Sequence, residues 1–176
     1  MFIATEEGNI HVWSNNYKDL FKLNYSAKST EVISLKVRSI DTFSEGKRII
    51  IGTYKSEICE LSSSDLKVTQ NSKYELNSIL KAPFALDSIE RYEMWGLALY
   101  TNEKKEDNFV TCSDDGFVRI WSVAEKKLLG YIELNANTKL EVMPFSDDSK
   151  LRCICVNKQE TAAVGCKSGL IRVFID

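Results

Sequence analysis

The chain has 176 residues, 44% of them hydrophobic and 27% charged, with a net charge of −2. That is enough apolar material for a buried core and too little charge of one sign to hold a nucleic-acid backbone or an anionic membrane. No apolar run approaches the roughly 20 residues of a membrane helix, the opening residues lack the basic start and apolar stretch of a secretory signal, and a soluble cytosolic protein with five reduced cysteines is expected.

In chain order, strand-like segments alternate with turns. Phe2 to Trp13 reads FIATEEGNIHVW: an apolar strand, a polar turn at Gly8, and a second strand in which Ile10 and Val12 alternate up to Trp13, the period of a pleated strand. Leu20 to Tyr25 and Val32 to Ile40 are the next strand candidates. Ile50 to Leu61, IIGTYKSEICEL, repeats the hairpin with Ser56 in the turn, and Lys73 to Asn77 follows it. A polar-rich loop over Ala82 to Glu93 leads to a strand at Trp95 to Thr101. Phe109 to Trp121, FVTCSDDGFVRIW, is the third hairpin, turning at Gly116, and Leu128 to Leu134 follows it. A second long loop, Ala136 to Lys150 with an acidic Asp147-Asp148 tip, precedes a strand at Arg152 to Asn157. The fourth hairpin, AAVGCKSGLIRVF, runs from Ala162 to Phe174 and turns at Gly169. Both prolines, Pro83 and Pro144, lie in the two long loops, as suits a residue excluded from central strands.

The four hairpins share one register. Gly8, Ser56, Gly116 and Gly169 correspond in the turn, and the bulky Trp13, Leu61, Trp121 and Phe174 each follow five positions later. Glycine accepts the positive φ of a tight hairpin. With one strand before and one after each hairpin, the repeating unit is a four-stranded antiparallel sheet, and repetition of such units signals an all-β propeller. An all-β sandwich is the alternative. The units divide as a partial blade at 1–26, blades at 32–78 and 94–134, and a partial blade at 151–176. About four blades form an incomplete ring, whose open faces and edges are expected to promote self-association.

The unit ending at Trp121 resembles a WD40 repeat, in which a Ser in the second strand, an Asp in the turn and a Trp ending the third strand recur. Ser113, Asp115 and Trp121 occupy those places. The resemblance implies that their hydroxyl, carboxylate and indole N–H satisfy one another in a buried turn. The usual His is missing near Glu90, the only histidine, His11, lies in a third strand, and the W-D dipeptide is replaced by Trp13-Ser14 and Trp121-Ser122. More specifically, Glu93-Met94-Trp95-Gly96-Leu97-Ala98, then Phe109 to Gly116, then Val118-Arg119-Ile120-Trp121, resembles the echinoderm microtubule-associated protein-like family. Ala162-Ala163-Val164-Gly165 and Ile50-Ile51-Gly52-Thr53 resemble two further strands of that family. The insertion at Ala136 to Lys150 departs from it. The resemblance implies a non-catalytic, cytoplasmic scaffold associated with tubulin, microtubules or another part of the cytoskeleton. A WD40 adaptor subunit of an unrelated complex, recognising a peptide or protein partner, is the alternative.

Residues for chemistry are sparse. Asp114 and Asp115 are neighbours in a tight turn and are expected to point apart, whereas a general acid/base pair must converge on one substrate. Cys153 and Cys155 share a strand face, yet structural zinc wants four ligands and no second pair is spaced to supply them. No phosphate-cradling glycine motif occurs, and no cofactor or metal is expected. All five cysteines, Cys59, Cys112, Cys153, Cys155 and Cys166, lie in strand-like segments and are expected to be buried as small hydrophobes. The surface is left to carry function. The rim that gathers the hairpin turns and the start of each blade places Glu6, Tyr54, Trp95, Asp114 and Lys167 as the candidate partner surface.

Overall fold

Among the described residues the apolar alternation resolves into thirteen strands and four antiparallel sheets. The structure, a computed structural model, describes residues 2–5, 9–13, 23–28, 37–53, 58–63, 93–134 and 150–174, with backbone alone at 2–3, 9, 12–13 and 23–28. The first sheet joins β1 (Phe2–Ala4), β2 (Asn9–Trp13) and β3 (Leu23–Lys28); the second joins β4 (Val37–Phe43), β5 (Arg48–Thr53) and β6 (Ile58–Ser62). β7 (Gly96–Thr101), β8 (Asp107–Cys112), β9 (Phe117–Ser122) and β10 (Leu128–Glu133) form the third, four-stranded sheet. β11 (Leu151–Val156), β12 (Ala162–Cys166) and β13 (Ile171–Phe174) form the last. The strand expected at Lys73 to Asn77 and the two long loops, apart from their last residues Glu93 and Lys150, lie outside the described residues, as do Gly8 and Ser56 of the hairpin turns.

The shared hairpin register is present in the backbone. Ala4 pairs with Ile10, Gly52 with Ile58, Cys112 with Val118 and Gly165 with Ile171. Each hairpin therefore turns over the same number of residues, and Leu61, Trp121 and Phe174 pair with Ile49, Phe109 and Ala162 at equivalent places. Trp13 stands at the same step of β2 and pairs onward with Leu23. Gly116 and Gly169 hold φ of 79° and 92° in the turns, the left-handed region that a Cβ disfavours.

Among the described residues, three apolar cores fill the spaces between consecutive sheets. Ile10 packs with Val37, Ile49, Ile51, Cys59 and Leu61 between the first and second. Ile50, Ile58, Met94, Leu97, Phe109 and Trp121 lie between the second and third. Val110, Cys112, Val118, Leu151, Ile154, Val164 and Cys166 lie between the third and fourth. Burying one such large side chain contributes roughly 1.5–3 kcal/mol, so a sheet with two covered faces is held far better than one with a single covered face. Trp121 is fully buried and stacks on Phe109, ring centres 6.0 Å apart and planes 9° from parallel.

The leading strands β4, β7 and β11 touch in succession. Asp41 of β4 fixes one of these contacts, its carboxylate accepting the Leu99 N–H of β7 at 2.7 Å. The backbone repeats the junction: Met94 N donates to Thr53 O and Leu151 N to Ser113 O, each at 3.3 Å. These are equivalent residues, so the third and the fourth sheets are each hung on the hairpin of the sheet before. Among the described residues the four sheets do not close a ring.

Two cysteines correct the expectation of burial. Cys59, Cys112 and Cys166 are buried, but Cys153 and Cys155 are exposed. Both lie on the face of β11 that no described sheet covers, beside the exposed Ile171 and Val173 of β13.

Candidate partner surface

Cross-strand pairing sets equivalent positions in the leading strands. Ser39 pairs with Gly52, Gly96 with Cys112 and Cys153 with Gly165. Each pair holds one glycine and one Oγ or Sγ, because the site has room for one small side chain: a Cβ on Gly52 would meet Ser39 Oγ at 2.5 Å, and one on Gly165 would meet Cys153 Sγ at 2.7 Å. The residue immediately before this pair is Arg38, Trp95 or Arg152 in successive blades. One step earlier still lie Val37, Met94 and Leu151, all buried. The apolar step anchors the strand start, and the pleat then turns the next side chain toward the rim.

At the rim the three equivalent side chains meet. The Arg38 guanidinium stacks over the Trp95 ring at 4.8 Å and that of Arg152 at 4.6 Å. Arg38 comes from the preceding sheet and Arg152 from the following one, so Trp95 joins three blades. Each guanidinium has a carboxylate: Arg38 Nε donates to Glu93 at 2.5 Å, and Arg152 pairs with Asp114. Asp114 also accepts the Trp95 indole N–H at 3.1 Å. All five side chains are partly buried, which strengthens cation–π and charge-assisted contacts over fully solvated ones.

Behind Asp114 the turn is organised by its neighbour. Asp115 accepts hydrogen bonds from Ser113 Oγ, from Phe117 N at 3.1 Å and from the Arg119 guanidinium at 2.6 Å. Asp114 and Asp115 thus serve different cations and do not converge. The indole of Trp121 stands apart from this network: its N–H donates to Thr111 Oγ1 at 2.9 Å. Ser113 is thus joined to Asp115, and the Trp121 indole to Thr111. Arg119, placed by the alternation of β9 on the side of the turn, takes the second carboxylate oxygen, and Thr111 on β8 takes the indole. Cys112, beneath them, has its thiol pushed well above the usual range, first by burial and then by the neighbouring Cys153 and Asp115.

Of the surface residues expected from sequence, Trp95 and Asp114 are brought together. Lys167 is exposed in the turn between β12 and β13, where its backbone N–H donates to Lys150 O at 2.8 Å. Glu6 and Tyr54 lie outside the described residues. The sequence reading missed Arg38, Glu93 and Arg152. A signal existed: Arg38, Trp95 and Arg152 are evenly spaced along the chain, one per repeat.

No family model matches the chain. Among solved structures it is similar to the WD40 beta propeller domain of Doa1, with 17% identity and a TM-score of 0.64, covering 98% of this chain and 45% of that one. It is also similar to U3-55K, with 14% identity and a TM-score of 0.63, covering 99% of this chain and 47% of that one. The fold is that of a WD40-type β-propeller, and the chain spans about half the length of these two structures.

Proposed function

We propose that this chain is a non-catalytic protein-interaction scaffold. The observation that carries the reading is the Arg38–Trp95–Arg152 stack, in which three blades together present aromatic and guanidinium groups at one rim. Trp and Arg are the side chains most often found as anchors of protein interfaces. The two carboxylates of the hairpin turn are committed to separate cations, which speaks against acid/base chemistry there. No cofactor, nucleic acid or membrane enters this reading.

The partner proposed first is tubulin, microtubules or another cytoskeletal protein, with the chain in the cytoplasm and at the cytoskeleton. This finer step rests on the resemblance of the Trp95-Gly96-Leu97-Ala98 strand and the following turn to the echinoderm microtubule-associated protein-like family. Trp95, Asp114 and Lys167 are the proposed contacting residues among those described, and Glu6 and Tyr54 are proposed with them from the sequence alone. Co-sedimentation with taxol-stabilised microtubules tests it: saturable pelleting is expected, weakened by Arg152→Met. A chain that stays in the supernatant turns the reading to a WD40 adaptor of another complex, recognising a peptide or protein partner.

A second contact is favoured by the uncovered face of the last sheet. Ile171 is 74% exposed and Val173 57%, beside the exposed Cys153 and Cys155. Apolar faces of this kind associate, and self-association through them is expected. Light scattering at micromolar concentration that gives a single 20.0 kDa species, unchanged in Ile171→Lys, argues against it.

A further inference from the structure

We propose, building on the self-association reading above, that two copies of this chain close head to tail into one ring, the fourth sheet of each packing on the β1–β2 hairpin of the other. The fourth sheet continues the junctions already formed inside the chain. Gly52, Cys112 and Gly165 pair with Ile58, Val118 and Ile171 at equivalent steps of their hairpins. Ile58 and Val118 lie in the cores shared with the next sheet and are 2% and 1% exposed, whereas Ile171, at the same step, is 74% exposed. Cross-strand pairing puts Cys153, Cys155 and Val173 on the same face as Ile171. An apolar face of this kind is an association surface.

The surface that receives it is set by the same register. Leu61, Trp121 and Phe174 each pack on the sheet before their own, as do Ile51 and Val164 of the neighbouring strands. In the first sheet Trp13 and Ile3 stand at those backbone steps: Ile3 pairs with His11 as Ile51 does with Cys59 and Val164 with Arg172. The β1–β2 hairpin thus offers a second copy the steps that fill the established cores.

The chemistry of the fourth sheet suits that hairpin. Between the second and third sheets two contacts are polar: Ser39 Oγ donates to Met94 O at 3.0 Å, and Asp41 accepts the Leu99 N–H at 2.7 Å. The fourth sheet has Cys153 and Cys155 at these places, paired with Gly165 and Ala163 as Ser39 and Asp41 are with Gly52 and Ile50. A thiol behaves as a small hydrophobe and fits an apolar hairpin better than a leading strand offering backbone N–H groups. One copy spans about half the length of a WD40 propeller domain, so two supply the arc of one. When each copy gives one end and takes the other, the ring closes through two identical junctions and covers both fourth sheets.

The test is size-exclusion chromatography with light scattering on the full chain at micromolar concentration. A species of twice 20.0 kDa is expected. Ile171→Lys and Trp13→Glu each place a charge in both junctions and are expected to give the single-chain mass. Mixed in equal amounts they are expected to return to the doubled mass, because one junction is then unaltered and the other sets a lysine against a glutamate. Circular dichroism of each variant, matched to the parent, confirms that the fold is retained. Maleimide labelling of the parent needs no variant: Cys153 and Cys155 are expected to be protected at micromolar concentration and to label on dilution to nanomolar. A doubled mass that survives Trp13→Glu, or a mixture that stays at the single-chain mass, overturns head-to-tail closure and leaves self-association through the fourth sheet standing. Masses above two chains, or full labelling of both thiols in the doubled species, overturn the closure as well. A parent at the single-chain mass removes both readings.

Discussion

Lys126 reaches from the turn between β9 and β10 to the carboxylate of Glu60, which lies fully buried in β6 of the preceding sheet. Arg48, from β5 beside it, takes the other oxygen. A carboxylate with no solvent contact is thus held by two cations from two different blades. The Lys126 backbone has φ of 56°, so the turn itself is shaped to deliver the amine.

Removing the charge of Glu60 leaves Arg48 and Lys126 side by side without the anion between them. Glu60→Gln is therefore expected to lower unfolding free energy by roughly 3 kcal/mol, the scale for breaking a buried pair. Urea denaturation measures it as a lower midpoint at unchanged slope. A midpoint equal to that of the parent would show that the triad contributes nothing net.

Lys126 also gives a pH dependence. Burial, and then the Arg48 guanidinium, push its ammonium down to about 8, against about 10.4 in an unfolded chain. Between these values the unfolded state binds more protons, so linkage makes stability at this position rise with pH. The stability of the parent minus that of Lys126→Met is expected to increase from about pH 8 to about pH 10. A difference that falls over this window would show that the Glu60 carboxylate holds the ammonium more strongly than burial opposes it.

The turn network around Asp115 separates a charge from a hydroxyl. The Asp115 and Arg119 side chains are 5% and 4% exposed. Asp115→Ala strands a buried guanidinium and is expected to cost roughly 3–5 kcal/mol. Ser113→Ala removes one neutral donor and is expected to cost about 1 kcal/mol. Equal losses in chemical denaturation would mean that the ion pair adds nothing to the hydrogen bond.

The glycine pairs of the leading strands predict unequal tolerance. A Cβ on Gly96 would press on Cys112 Sγ and meet Ile154 backbone at 3.0 Å, with no flexible neighbour to yield. A Cβ on Gly165 would meet only Cys153 Sγ, on an exposed residue that can rotate away. Gly96→Ala is expected to cost about 2 kcal/mol, the range of overpacked cores, and Gly165→Ala well under half of that. Thermal or urea unfolding of the two variants decides it.

Much of the fold was legible because the determinants are local. The alternation in Phe109 to Trp121 follows from the pleat of a single strand, and Gly116 marks a turn that needs positive φ. The same pattern in Ile50 to Leu61 and Ala162 to Phe174 then fixes the repeat. The surface was legible only in part. Trp95 and Asp114 stood out by residue type and turn position, but Arg38 and Arg152 looked like ordinary charged residues at strand starts. Cys153 and Cys155 looked like core residues, because a strand pattern gives which residues share a face and not whether another sheet covers it.

The amino-acid sequence by itself determined the strand period, the hairpin register and the recurrence of a bulky residue after each turn, all consequences of backbone sterics within one repeat. Only the tertiary structure decided that Arg38, Trp95 and Arg152 stack, that Trp121 bonds to Thr111 instead of Asp115, and that Lys126 answers to Glu60. The stack and the Lys126–Glu60 pair are contacts between different blades or across a whole sheet junction. They depend on how one sheet is set against the next, which no local pattern encodes.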